Sequence, residues 1–537
     1  MPLRGWPGVI VAPGSTSLAL AEITLGRMVM TPDQQIDLST AEGRRAVGER
    51  IPAPEYDRGQ LEVGIVHVGV GGFHRAHQAM YLDRLLSDPQ TRPEALRWGI
   101  CGVDLMPGDQ PKKALFTAQD GLYTLVLKNP DGSTEPRVIG SIARYLYAPD
   151  EPERVLATMA DPGTRIVSLT ITEGGYNFNQ VTGEFDAASP AIQEDLRPGA
   201  TPRTVFGFVV EALRRRRAAG VPPFTVMSCD NLPGNGDIAR RMFGSFADLA
   251  DPELGAWLRA EVAFPNCMVD RITPVTTPGD IEQLEQDFGI RDGLTVVCEP
   301  FTQWVLQDDF PLGRPPWERC GVQLVGNVVP YELMKLRLLN ASHQAIAYAG
   351  YLAGYRYAHE VAADPVFAEF LLGYMQREGR PTLPEVPGVD LDEYIATLLE
   401  RFANPAIRDT LARLAAFSSD RIPKWLVPVI KANVARGGPV TRSAAVVAAW
   451  ARYAEGVDES GQPIEVVDLR AAELMAAARR WSSDRLAFIR NKELFADLVQ
   501  QPTFTEAYLG ALDSLHAVGA LATITELNQR LRDASSG

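Results

Sequence analysis

Residues 63–86 read VGIVHVGVGGFHRAHQAMYLDRLL, and the fold is decided there. The first residues are rich in β-branched side chains and run into glycines, the pattern of a buried strand ending in a tight turn. Beyond the turn, Ala76, Met80, Leu82 and Leu85 recur near helical spacing, which predicts a helix from His74 to Leu86. Strand, glycine turn and helix in that order can cradle a dinucleotide pyrophosphate. Gly69 permits the sharp turn, and Gly71 lets backbone approach the phosphates. The third position, where a glycine is usual, holds His74. Gly69, Gly71, Gly72, Phe73 and Arg75 are the candidate cofactor contacts.

Working outward, further strands are expected at Trp98 to Leu105 and at 124–128, 165–171, 224–229 and 294–298. Helical patterns lie between several of them, 204–219 among them. Strands alternating with helices predict a mostly parallel sheet with helices on both faces. After about residue 325 the character changes. Segments such as YELMKLRLLNASHQAIAYAGYLAG and SAAVVAAWARYAEG read as amphipathic helix, and strand signals nearly vanish. The expected organisation is an α/β domain over 51–325 and an all-α domain over 326–537. Residues 1–50 lack periodicity and are expected to be an extension, partly disordered, with Met28 or Met30 as alternative starts. The arginine run at 214–217 closes a helix, where cations favour the dipole, and reads as a solvated end.

A chain of 537 residues exceeds one ordinary core, in keeping with two domains. The net charge of −15 and pI of about 5.1 disfavour nucleic acid and anionic membrane as partners. No apolar run approaches the roughly 18 residues of a membrane span, and no secretory leader pattern is present. Cys101, Cys229, Cys267, Cys298 and Cys320 are dispersed without a CxxC, as reduced thiols of a cytoplasmic protein are. The six histidines are not placed with cysteines or carboxylates as a tetrahedral zinc set, so no metal is expected. The adenosine ribose should be read just beyond the second strand, where GVDLMPGDQ supplies Asp104 and Asp109. Either carboxylate would accept ribose hydroxyls and repel a 2′-phosphate, which favours NAD over NADP.

Taken together, GIVHVGVGGFHRAHQAMYLDRLL, SLTITEGGY, TVMSCDNLPGNG, FPNCMVDRITP, VVCEPFTQWVLQD and YELMKLRLLNASH resemble the mannitol dehydrogenase family, its bacterial members above all. These are the polyol-specific long-chain dehydrogenases/reductases. The resemblance runs from about Asp57 to about residue 525. It implies a Rossmann-type N-terminal domain, a helical C-terminal domain and an active site between them. It also implies metal-free oxidation of D-mannitol to D-fructose by NAD, in a monomer. The family's KxxxxNxxH motif falls on Lys335, Asn340 and His343. By resemblance, Lys335 is the catalytic base, Asn231 and Asn340 stabilise the developing alkoxide, and His343 binds a substrate hydroxyl. Asp270 and Arg413 match substrate-binding positions, and Arg421 stands where the family has lysine. Glu332 and Glu173 are placed to relay the proton or tune the base. Asp109 is preferred to Asp104 for the ribose, although Gly108 replaces the family's glutamate before it.

The chemistry supports such a set. A polyol hydroxyl has a high pKa, so a base poised near the working pH must take its proton as hydride leaves carbon. A lysine serves when burial lowers its pKa. On a regular α-helix, offsets of five and eight put Asn340 about 140° and His343 about 80° round from Lys335. His343 thus shares a broad face with Lys335 and Asn340 sits at its edge, so convergence of the three is a matter for the structure. Competing readings are a reductase of a sugar acid such as fructuronate or tagaturonate, with Arg421 on the carboxylate, and a dehydrogenase of D-arabinitol or D-sorbitol. A non-catalytic nucleotide sensor is the alternative from another class, and it would have no use for Lys335.

Overall fold

The strand read first lies at the centre of the main sheet of the structure, a computed structural model that describes residues 35–178 and 183–536. The sheet comprises β1 (Val63–Val68), β2 (Gly99–Asp104), β3 (Ile142–Tyr147), β4 (Ile166–Leu169) and β5 (Thr225–Ser228). All pairs are parallel, in the order β3-β2-β1-β4-β5. The chain order reverses at β1, and the glycine turn leaves the carboxyl end of β1 at that switch point. Both sheet faces are buried. Val66, Val68, Cys101, Val103, Val167 and Leu169 enter one core, while Ile65, Ile100, Ile142 and Ile166 enter the other. That two-sided burial is why β1 reads as an almost unbroken apolar run.

The expected helix at 74–86 is two helices, α1 (Gly72–Ala76) and α2 (Gln78–Ser87), broken at His77 with φ −122° and ψ −90°. The His77 ring is held by the Gln303 carbonyl at 3.0 Å and packs on Phe73, Tyr81 and Trp304. His74, in place of the third glycine, lays its ring on that of His67 in β1, with centroids 3.4 Å apart. Two flat rings thus fill the space that close helix–strand packing occupies in the usual fingerprint.

The expected strands at 124–128 and 294–298 exist but leave the main sheet. Tyr123–Lys128 pairs parallel with Val296–Cys298 and antiparallel with Thr134–Ile139. β3 was not legible, because Arg144 and Tyr145 interrupt its apolar run. Nor was a third sheet, in which β6 (Cys267–Asp270) lies antiparallel to β7 (Gln303–Gln307), itself parallel to β8 (Gln323–Val325). Within the expected extension, Ile36–Asp37 pairs with Ile290–Arg291, and Leu38 and Val47 join a small core with Ile51, Leu122 and Val297. These elements are too short to show a period. The alternative starts Met28 and Met30 fall outside the described residues. The arginine run is only partly solvated. Arg216 is buried and donates to the Pro222, Asp161 and Thr164 carbonyls.

α3 (Val205–Ala218) and α4 (Asn235–Ala250) cover the first face of the main sheet. After β8 the described elements are helical, beginning with α5 (Val329–Met334). α6 (Ala341–Leu352) is buried nearly all round, the mark of a central helix. α7 (Leu391–Phe402) reaches toward the sheets, and α8 (Thr441–Tyr453) packs between α6 and α9 (Pro502–Val518). Among the described residues no helix is long and apolar enough to cross a membrane.

Candidate active site

Between α5 and α6 the chain makes a π-helical turn, Lys335–Asn340, in which Ala341 N–H donates to Leu336 O five residues back. Such turns recur at functional sites. The wider turn absorbs one extra residue. Offsets of five and eight from Lys335 then act like four and seven of a regular helix, about 40° and 20° from its face. The regular-helix angles expected for Asn340 and His343 are therefore corrected, and both residues lie closer to the face of Lys335 than the shared broad face and its edge that a regular helix gives.

Lys335 is 7% exposed. Its Nζ donates to Asn231 Oδ1 at 2.6 Å and to the Val269 carbonyl at 2.7 Å. Burial pulls its pKa below the ordinary lysine value; Asp270 opposes this and Arg401 reinforces it. Asn231, exposed, lies on the loop after β5. The same loop is tied to α5 by Gly234 N–H donating to Glu332 at 2.9 Å. Burial raises the Glu332 carboxyl, as does Asp237, against that hydrogen bond and Lys335. Asn231, Cys267, Val269, Glu332 and Lys335 line a narrow crevice.

Asp270, at the end of β6, has both oxygens engaged by Arg401 of α7, at 2.8 and 3.1 Å. Burial alone would raise this carboxyl, but Arg401 and Lys335 bring it below the usual range. His343 is half-buried against Phe402, and burial pulls it down to about 4, so it is neutral near pH 7. Asn340 is buried, and its Nδ2 has no hydrogen-bond partner among the described residues. The Tyr394 hydroxyl, within the field of Asp270 and Arg401, is in the same state.

Farther out, Arg413 is ion-paired to Asp409, with Nε donating at 2.6 Å, and its side chain is 59% exposed. Arg421 donates to the Arg413 and Leu414 carbonyls. Glu173 faces Asp420, Lys424 and Arg421 from the opposite half of the chain, and its carboxyl is raised by desolvation and by Asp420. Thr172 beside it has φ +63°, a strained conformation for a β-branched residue. Asp230 holds that turn by accepting from Ile171 N–H, Thr172 N–H and Tyr176 Oη, at 3.1, 2.8 and 2.7 Å.

At the glycine turn, Gly69 has φ +95°, and a Cβ there would lie 2.1 Å from the Thr170 carbonyl oxygen. A Cβ on Gly71 would meet nothing within 4 Å. Gly69 is thus demanded by the fold, and Gly71 borders open space, so the cradle fits a dinucleotide. Gly72 opens α1, and Phe73 packs on His77. Arg75 braces the turn through backbone carbonyls, its guanidinium donating to those of Leu294 and Gly71. Asp104 is buried and occupied by Val70 N–H, Tyr145 Oη and Lys112. Asp109 is more accessible, and Lys112 reaches it as well, at 3.0 Å. Among the described residues no group of three His, Cys, Asp or Glu is placed to hold a metal ion.

Sequence reasoning missed Arg401, Glu299 and Asp230. Arg401 sits in LLERFANP, indistinguishable from a solvated helix arginine. Glu299 and Asp230 lay within recognisable blocks, yet nothing local distinguishes a buried carboxylate from a loop one.

The family model for the mannitol dehydrogenase Rossmann domain matches residues 63–319, and that for the mannitol dehydrogenase C-terminal domain matches residues 327–516. The chain belongs to the mannitol dehydrogenase family. Within this family it is similar to the mannitol 2-dehydrogenase of Phaeosphaeria nodorum, 48% identical over 89% of this chain and 84% of the relative. It is likewise similar to that of Aspergillus fumigatus, 48% identical over 89% and 96%. Among solved structures, the Pseudomonas fluorescens mannitol 2-dehydrogenase ternary complex with NAD and D-mannitol is 44% identical, with a TM-score of 0.80 over 90% of this chain and 99% of that one. A substrate-free D-sorbitol dehydrogenase is 38% identical, with a TM-score of 0.82 over 88% and 97%. The Rossmann-type fold with a helical C-terminal region agrees with these relatives.

Proposed function

We propose that this chain is an NAD-dependent mannitol 2-dehydrogenase that interconverts D-mannitol and D-fructose. The observation that carries the reading is Lys335. It is a buried amine with a lowered pKa, held by Asn231 and Val269, in a chain 44–48% identical to mannitol 2-dehydrogenases. Bound NAD would supply the acceptor for the hydride that leaves C2 of the polyol. The Gly69–Phe73 turn would hold its pyrophosphate and Asp109 its ribose. Arg75 serves the turn through backbone carbonyls.

Lys335 takes the proton of the C2 hydroxyl as the C–H bond breaks. Asn231 keeps its Nδ2 for the developing alkoxide because its Oδ1 is engaged by Lys335, and the partnerless Nδ2 of Asn340 is a second donor. Neutral His343 receives or donates to a neighbouring hydroxyl. Glu332, beside Lys335 in the lining of the same crevice, is the route by which the proton leaves, and Glu173 tunes the cleft mouth. Asp270 acts on the base, with both oxygens held by Arg401, while Arg413 and Arg421 border the distal end of the substrate.

We place the domain boundary near Gly326, just after β8 ends at Val325. The dispersed free cysteines support a cytoplasmic protein, and the net charge of −15 argues against nucleic acid. The family resemblance supports a monomer, which size-exclusion chromatography would check. A second reading, D-sorbitol oxidation, is favoured by the 38% identical sorbitol enzyme. Initial rates with D-mannitol, D-sorbitol, D-arabinitol and fructuronate, each with NAD(H) and NADP(H), test the substrate. Background turnover of mannitol and fructose would defeat the proposal.

A further inference from the structure

Arg401 joins the two halves of the chain at the site. From α7 it donates Nη1 and Nη2 to Asp270 at 2.8 and 3.1 Å, and Nε and Nη2 to Glu299 at 2.9 and 2.8 Å. All three groups are buried, at 7%, 5% and 2% exposure. Phe301 lies against the guanidinium, 3.9 Å from its carbon. Glu299 also accepts from Ile272 N–H at 2.6 Å, and its carbonyl accepts from the Arg271 side chain through Nε, so its own position is held independently of Arg401.

We infer that Arg401, locked by Glu299, is a positioning residue that holds Asp270 beside Lys335 and sets the charge the base experiences. One carboxylate would suffice to neutralise a buried guanidinium. A second adds desolvation cost without being needed for charge balance, which points to a demand on geometry. Arg401 is fixed by one carboxylate and presents the other to the lysine.

The ionisable groups facing Lys335 are Asp270 and Cys267 from β6, Arg401 from α7, Glu332 from its own helix and His77 from the α1–α2 break. His77 is pulled down to about 3 by burial and is neutral. Arg401 is therefore the permanent positive charge in this set. Its removal frees the negative field of Asp270 and deletes a like charge, and both effects favour protonated Lys335. Loss of the Glu299 charge does the opposite, because Arg401 is then less neutralised.

The inference rests on Lys335 being the base, so Lys335→Ala is the control for that reading and the clamp variants test the clamp. The measurement is kcat/KM for D-mannitol against pH at saturating NAD, on the full chain, with circular dichroism and melting to establish folding. Arg401→Gln is expected to move the acid limb upward, lowering kcat/KM about tenfold at a pH below the limb and recovering toward wild type at high pH. Glu299→Gln keeps Oε1 for Ile272 and Arg401 and is expected to move the limb downward. A merely structural clamp would lower activity in both without moving the limb. A folded Arg401→Gln enzyme with an unmoved limb overturns the inference. If that variant does not fold, Glu299→Gln decides: a downward limb supports the inference, and an unmoved or raised one overturns it. Full turnover by Lys335→Ala would instead refute the base.

Discussion

Replacing Lys335 with methionine removes the amine and nearly preserves the volume. Lys335 Nζ makes its two hydrogen bonds at 2.6 and 2.7 Å in a narrow crevice, where among the described residues no other ionisable group is held by both Asn231 and Val269. A positioned general base contributes about 10²–10⁴ in rate, or roughly 2.7–5.5 kcal/mol. The variant should lose that factor in kcat/KM for mannitol while NADH still binds, because the glycine turn is untouched. Initial rates of NADH formation and a fluorescence titration with NADH read the two quantities separately. Its stability should move the other way. The folded-state pKa of Lys335 is depressed by burial, so the fold binds its proton less readily than the unfolded chain does. That penalty grows as pH falls below the unfolded lysine value of about 10.4 and levels off below the folded pKa. The melting temperature of Lys335→Met relative to wild type should therefore rise as pH is lowered. Turnover within fivefold of wild type would refute the base. A Tm difference that shrinks toward low pH would refute the burial argument.

Gly69→Ala and Gly71→Ala should separate fold from cofactor. The first places a Cβ 2.1 Å from a carbonyl at positive φ and should destabilise by about 2–4 kcal/mol in thermal melts. The second meets nothing within 4 Å, so its Tm should stay near wild type while the KM for NAD rises tenfold or more. Asn340→Ala should lower kcat by about 10²–10³ with little change in stability, since Nδ2 has no protein partner to lose. Asp230 is raised to about 6, chiefly by burial, so its contribution to stability is complete below the unfolded carboxyl value of about 4 and is lost as pH rises through about 6. Chemical denaturation across that window should show the wild type losing ground to Asp230→Asn. Parallel pH profiles for the two would count against it.

Much of the N-terminal architecture was legible because a strand buried on both faces must be apolar along its length. β1, β2, β4 and β5 all have that character. β3 did not, because Arg144 and Tyr145 break its pattern, and pairing with β2 decides its state. The sequence also carried Lys335, Asn340 and His343 as a motif. It placed them on a regular helix, where Asn340 would stand only at the edge of the lysine's face.

What the sequence by itself determined is local. It set the strand–turn–helix that cradles a dinucleotide, with a glycine required at Gly69, and the change from α/β to helical patterning near residue 325. Only the tertiary structure decided what the lysine is. The π turn packs against residues 375–379 and 418–425, and Lys335 is buried against β6 and the loop after β5. The clamp that holds Asp270 comes from Arg401, 131 residues farther along the chain. A pKa is a sum over neighbours in space, and those neighbours meet only when the two halves of the chain fold together.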